Sequence, residues 1–157
     1  RVQGPVDFGP LDPSQGSPCL EYKTYFFSSG EATVHSILAP NLAFIPGRNL
    51  QFAVSIDDQK PVMVTGVPTT VAASGTSWNG SEWEKNVEDE ARTVSAKVQI
   101  PTAGYHTLKI WMVDPGITVQ KILIDLGGLK PSYLGPPESY NKPLSLSKAR
   151  SRQRSGS

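Results

Sequence analysis

Apolar and polar residues alternate in short stretches along much of the chain, the period-two signature of strands with one face in a core. The pattern is cleanest from Leu50 to Asp57, where Leu50, Phe52, Val54 and Ile56 face one way and Gln51, Ala53, Ser55 and Asp57 the other. Leu20 to Phe27 alternates Leu20, Tyr22, Thr24 and Phe26 against Glu21, Lys23, Tyr25 and Phe27, a half-buried strand with aromatic residues on both sides. Ser28-Ser29-Gly30 ends it, and Ala32 to Leu38 is expected to return beside it as a hairpin. Val62 to Val67 follows the polar turn Asp57-Asp58-Gln59-Lys60, which predicts a second hairpin with the Leu50 strand. Thr93 to Ile100 places Val94, Ala96, Val98 and Ile100 on one face.

The strongest signal runs from Gly104 to Asp125 (GYHTLKIWMVDPGITVQKILID). Leu108, Ile110 and Met112 alternate with Thr107, Lys109 and Trp111, and Asp114-Pro115-Gly116 supplies a turn. The segment predicts two long strands joined as a tight hairpin. The second, Ile117 to Asp125, is apolar on both faces except at Lys121, which predicts a central strand covered on both sides.

The stretches between these strands are of other kinds. Residues 1–19 are dense in Gly, Pro and Ser and read as an extended lead-in with turns. Residues 68–92 start as a small-residue loop and become polar, with Ser81 and Glu84 spaced as a capping box for a short helix over Glu82 to Glu90. After Gly127-Gly128 a proline-rich segment is expected to lie extended, anchored by Leu129, Tyr133 and Leu134. About seven short strands with turns every eight to twelve residues predict an all-β protein, an antiparallel β-sandwich with at most one short helix. The expected division is a lead-in over 1–19, a sandwich over 20–139 and a tail over 140–157.

Charge sharpens that division. The chain has 157 residues and a net charge of +1, but residues 141–157 hold five of the fifteen basic residues and no acid. The remainder carries ten basic against fourteen acidic residues, a balance of −4. A weakly acidic body argues against a nucleic-acid groove, and the tail reads as disordered or as an interaction arm. No run of about 18 apolar residues predicts a membrane span. The chain opens with Arg1 rather than Met and is expected to be a processed or trimmed piece, so the lack of a leader says nothing about compartment. Its single cysteine, Cys19, excludes an internal disulfide framework and is expected to be a small buried residue at a strand start.

Candidate chemistry is sparse. No nucleophile elbow, phosphate loop, zinc-binding HExxH or calcium loop is present, so no catalytic residue, metal site or cofactor is assigned. His35 and His106 read as structural, and the carboxylates of Glu82–Glu90 as a solvated helix face. Aromatic residues suit ligand stacking: Trp78 and Trp83 in the long loop, and Tyr25 and Trp111 on strands, where Trp111 equally suits packing beneath a covering loop. Arg48 offers a guanidinium that could hold a carboxylate bidentately. Asn79-Gly80-Ser81 is an N-glycosylation sequon.

The segments LEYKTYFFSSGEATVHSILAPNLAFIPGRNLQFAVSIDDQKP and WEKNVEDEARTVSAKVQIPTAGYHTLKIWMVDPGITVQKILIDLGGLKPSYLGPPES resemble the carboxy-terminal domain of glycoside hydrolase family 115. HTLKIWMVDPG and LGGLKPSYLGPPES are the most specific parts of a likeness covering most of residues 20–139. The family's enzymes are xylan α-1,2-glucuronidases. The resemblance implies a jelly-roll-like sandwich related to carbohydrate-binding modules, with the catalytic carboxylates in a separate upstream barrel. It implies a secreted, extracellular accessory module that binds or orients glucuronoxylan and meets the catalytic domain or a second protomer; from side-chain chemistry, Arg48, Trp78 and Trp83 are the expected contacts. A structural docking or dimerisation sandwich without sugar affinity is the alternative. The EAE-type first strand usual in the family has no counterpart before Cys19, so either the chain starts inside its domain or a preceding piece completes the sheet, and a missing strand would leave an edge that favours pairing with another chain; the basic tail after Ser139 lies outside the resemblance.

Overall fold

The computed structural model describes residues 9–41, 43, 47–69, 91–130 and 136–139. They form seven strands after a 3₁₀ turn at Pro13–Gln15: β1 Cys19–Phe26, β2 Gly30–Leu38, β3 Leu50–Ile56, β4 Val62–Val67, β5 Arg92–Ile100, β6 Gly104–Met112 and β7 Val119–Asp125. The strands make two antiparallel sheets, one of four strands in the order β1-β6-β3-β4 and one of three in the order β5-β2-β7. The expected all-β sandwich is the fold found. The predicted Glu82–Glu90 helix lies outside the described residues, as do Trp78, Asn79 and Trp83.

The alternating positions build the core. Phe52, Val54 and Ile56 of β3 and Leu108 and Ile110 of β6 meet Ala32, Val34 and Leu38 of β2 and Ala96, Val98 and Ile100 of β5 across the sandwich. Burying such side chains stabilises the fold by about 1.5–3 kcal/mol each before entropy is counted. A smaller cluster of Ala43, Leu50 and Val67 closes one end, with Ile117 packed on it. Gly66 fits closely there: a β-carbon would approach Ile117 and Leu38 side-chain methyls to 3.0 and 3.1 Å, so those side chains would have to give by a few tenths of an ångström.

Two expected hairpins are absent. β1 and β2 belong to different sheets, and so do β6 and β7; only β3 and β4 pair as neighbours in sequence. The Asp114-Pro115-Gly116 turn fails to reverse the chain within one sheet because Asp114 is tied to β3. Its N–H donates to the Gln51 carbonyl at 2.9 Å and its carboxylate accepts from the Gln51 N–H at 2.8 Å. The chain then crosses over, and the Ala39 N–H donates to the Thr118 carbonyl at 2.9 Å where β7 joins β2. β7 is consequently an edge strand, not a central one, and its residues are mostly half-buried.

The lead-in joins the four-stranded sheet beyond β6. Leu11 N–H donates to the Val113 carbonyl and Met112 N–H to the Pro18 carbonyl, at 2.9 and 2.8 Å. Asp12 caps the 3₁₀ turn by accepting from the Ser14 hydroxyl at 2.7 Å and the Ser14 N–H at 2.8 Å, which together hold its pKa below the ordinary carboxylate value. Cys19 opens β1 half-buried rather than fully enclosed.

His106 anchors the other end of β6. Its Nδ1 lies 2.6 Å from Asp57 Oδ2 and its Nε2 lies 2.9 Å from the Thr102 carbonyl oxygen. Both partners are acceptors, so both ring nitrogens donate and the imidazolium is the form that fits. The Asp57 hydrogen bond raises the pKa of His106 above 6.5, against the effect of burial. Asp57 sits at a positive φ of 51° and accepts the Thr107 N–H, and this bond and His106 hold its carboxyl below 3.8. A raised folded-state pKa contributes stability below the unfolded value of His, and that stability is lost as pH rises through the folded value. The depressed Asp57 contributes above its unfolded value and is lost as pH falls through its folded one. Thermal midpoints are therefore expected to fall as pH rises from below 6.5 through the higher folded-state pKa of His106, with the decline flattened in His106→Asn. A wild-type slope equal to that of His106→Asn would overturn the assignment.

Candidate functional site

The outward face of the four-stranded sheet collects the chemistry the described residues offer. Antiparallel register sets Tyr25 opposite Tyr105, Lys23 opposite Thr107, Glu21 opposite Lys109 and Cys19 opposite Trp111 across β1 and β6. On the other side of β6, Ala53 lies opposite Trp111 and Ser55 opposite Lys109. Alternation along β6 points Tyr105, Thr107, Lys109 and Trp111 outward together. Tyr105 and Trp111, six residues apart, stand about 20 Å from each other.

One end of this strip is aromatic. The Tyr25 ring meets Tyr105 at 5.0 Å and Phe27 at 5.1 Å between centroids, both edge to face. Lys23 Nζ lies 5.2 Å from the centre of the Tyr105 ring. These rings are not core residues: Tyr25 is 48% exposed, Tyr105 68% and Phe27 89%.

The other end is firmer. Trp111 is half-buried and donates its indole N–H to Ser55 Oγ at 2.9 Å. Lys109 lies 5.8 Å from the Trp111 ring centre, 3.1 Å from Asp58 and 4.0 Å from Glu21. The Asp58 hydrogen bond, with help from the charges of both carboxylates, raises the Lys109 pKa above 10.5, so this ammonium stays charged and already compensated. Trp111 thus packs on its own sheet through Ser55, a contact within the sheet itself.

Arg48 sits apart from the strip. Its guanidinium pairs with the carboxylate of Asp114, whose side chain is 1% exposed, while Arg48 keeps 22% of its side chain accessible. The structure therefore shows Arg48 holding the sheet-crossing turn. The sequence marks Asp114 only as a turn residue; its acid side chain next to Pro-Gly carried no sign of a partner 66 residues away. His35 is satisfied by Ser95 Oγ at 2.8 Å, in keeping with a structural role. Among the described residues, no cluster of three or more His, Cys, Asp or Glu could hold a metal ion.

A family model described as the glycosyl hydrolase family 115 C-terminal domain matches residues 4–138. The chain belongs to glycoside hydrolase family 115. The match to this family's C-terminal domain takes in the lead-in from residue 4, ahead of the segments quoted for the resemblance. Among solved structures, the fold is similar to a family GH115 4-O-methyl-α-glucuronidase, BtGH115A, with specificity for decorated arabinogalactans. The TM-score is 0.55 at 21% identity, covering 69% of this chain and 13% of the solved one. No curated protein matches the chain. The family 115 domain described here thus spans a small part of that larger enzyme's length.

Proposed function

We propose that this chain is the non-catalytic C-terminal accessory module of a secreted xylan α-1,2-glucuronidase. In this role it binds or orients glucuronoxylan and contacts the catalytic domain of its parent enzyme or a second protomer. The observation that carries the reading is the match of residues 4–138 to the family's C-terminal domain. The solved neighbour's specificity for decorated arabinogalactans adds a second polymer to be tested as ligand. Trp78 and Trp83 are the proposed loop contacts, with Arg48 reaching a uronate from its seat on Asp114 and Asn79 as the glycan acceptor.

The test is titration calorimetry of the chain with aldouronic xylo-oligosaccharides, unsubstituted xylo-oligosaccharides and uronate-bearing arabinogalactan fragments. Heat from the uronate-bearing sugars, weakened in Trp83→Ala, is the expected result; unchanged binding in Trp83→Ala removes that residue from the site. Trp83→Ala is the cleaner variant, since any change at Arg48 also takes the cation away from Asp114. Absence of heat at about 1 mM ligand would favour a docking sandwich without sugar affinity. One observation supports that second reading. The inward-facing Leu20 and Tyr22 of β1 stay exposed, and Tyr22 and Leu108 border an open gap of about 230 Å³ with Val119 and Ile122 of β7. Dimerisation measured by light scattering, abolished by Leu20→Glu, would then be expected.

A further inference from the structure

We infer that Tyr25, Phe27 and Tyr105, with the Lys23 ammonium beside them, form a glycan-binding subsite on the sheet face, selective for an anionic, uronate-bearing polysaccharide. This rests on the proposal that the domain binds sugar at all.

Three observations converge on this end of the sheet. The rings gain little from burial where they are: Phe27 is 89% exposed, and an exposed ring leaves most of its hydrophobic stabilisation unrealised. They are nevertheless ordered against one another, since Tyr25 makes edge-to-face contacts with both Phe27 and Tyr105. Such mutual support fixes ring orientation without closing the cluster to solvent. The sheet, a rigid element, sets the Tyr25–Tyr105 pairing through the β1–β6 register.

Charge then selects the occupant. Lys109, the other ammonium on the strip, is compensated by Asp58 and Glu21. Among the described residues Lys23 makes no ion pair, and its ammonium is held near the Tyr105 ring at 5.2 Å. Glu21, the nearest acid along β1, is directed to Lys109 at 4.0 Å. A sugar ring offers C–H faces to the aromatic residues and hydroxyls to the two tyrosine O–H groups. A uronate carboxylate adds the negative charge that Lys23 lacks. A neutral glycan would satisfy the rings and leave the ammonium unused; an anionic one satisfies both.

Affinity gel electrophoresis of the 157-residue chain through glucuronoxylan or neutral arabinoxylan separates the possibilities. Tyr25→Ala and Tyr105→Ala are expected to lower affinity for both polymers about tenfold, and Lys23→Gln to lower it about threefold for glucuronoxylan alone. The preference for glucuronoxylan should shrink with added salt, as exposed charges are screened. Because all these side chains are exposed, their variants should keep the wild-type melting midpoint, which circular dichroism checks. Retention that survives Tyr25→Ala and Tyr105→Ala but disappears in Trp83→Ala would overturn the sheet subsite and leave the sugar-binding role standing. Equal loss on both polymers in Lys23→Gln would overturn the selectivity. A wild-type chain retarded by neither polymer would overturn the sugar-binding role itself, and the subsite with it.

Discussion

Asp114→Ala is expected to cost roughly 3–5 kcal/mol, the loss that follows when one member of a buried ion pair is removed. The side chain is 1% exposed and serves two partners, the Arg48 guanidinium and the Gln51 N–H. Alanine removes the acceptor that the Arg48 guanidinium and the Gln51 N–H share, and the backbone donor cannot recover water fully. Urea denaturation would register this as a lower midpoint at an unchanged slope. The paired variant Arg48→Met with Asp114→Leu should recover much of the loss, because apolar residues of similar volume carry no desolvation cost. A single-variant loss below about 1 kcal/mol would mean that the pair is exchanging with solvent and does not hold the turn.

Phe26→Ala is expected to cost about 3–5 kcal/mol, and its neighbour Phe27→Ala no more than about 0.5 kcal/mol. The two phenylalanines are adjacent and chemically identical, but β1 turns them to opposite faces. Phe26 is 1% exposed inside the core, and Phe27 is 89% exposed outside it. The Phe26 ring also lies 5.8 Å from the His106 ring. Its removal opens a cavity beside the imidazolium, so the variant should lose stability without gaining pH dependence. Chemical denaturation of the two variants side by side settles the faces. Comparable losses from both would show that the outward aromatic cluster contributes to folding.

The strands could be read from the chain because burial imposes a period of two; β5 keeps it almost without exception, while β3, paired on both edges, also buries Ala53 and Ser55 on its other face. Pairing could not. A hairpin is inferred when a short turn joins two strands, and Ser28-Ser29-Gly30 and Asp114-Pro115-Gly116 are both short. Each instead carries the chain from one sheet to the other, a choice made by contacts distant in sequence. Arg48 and Gln51 determine where Asp114 goes, and neither can be recognised as its partner from spacing. The same holds for the site. Tyr25 can be picked out as an exposed aromatic candidate, but its partner Tyr105 comes from register between β1 and β6, which alternation alone does not set. Arg48 could be recognised as a carboxylate-binding side chain; the carboxylate it holds in the structure is the protein's own.

The sheet-switching connections also bear on how this chain finds its structure. Only β3 and β4 can zip together from a nearby turn; the other strand pairs wait for distant segments to meet, and each closure costs chain entropy before any contact compensates. Topologies of this kind fold in milliseconds to seconds rather than microseconds. During that interval β1 and β7, both destined to be edges, are unpaired strands in search of partners. Synthesis of such a chain is therefore a race between correct pairing and self-association, and Glu21 and Lys23 place exposed charges on the β1 edge, the kind of side chain that disfavours edge-to-edge pairing.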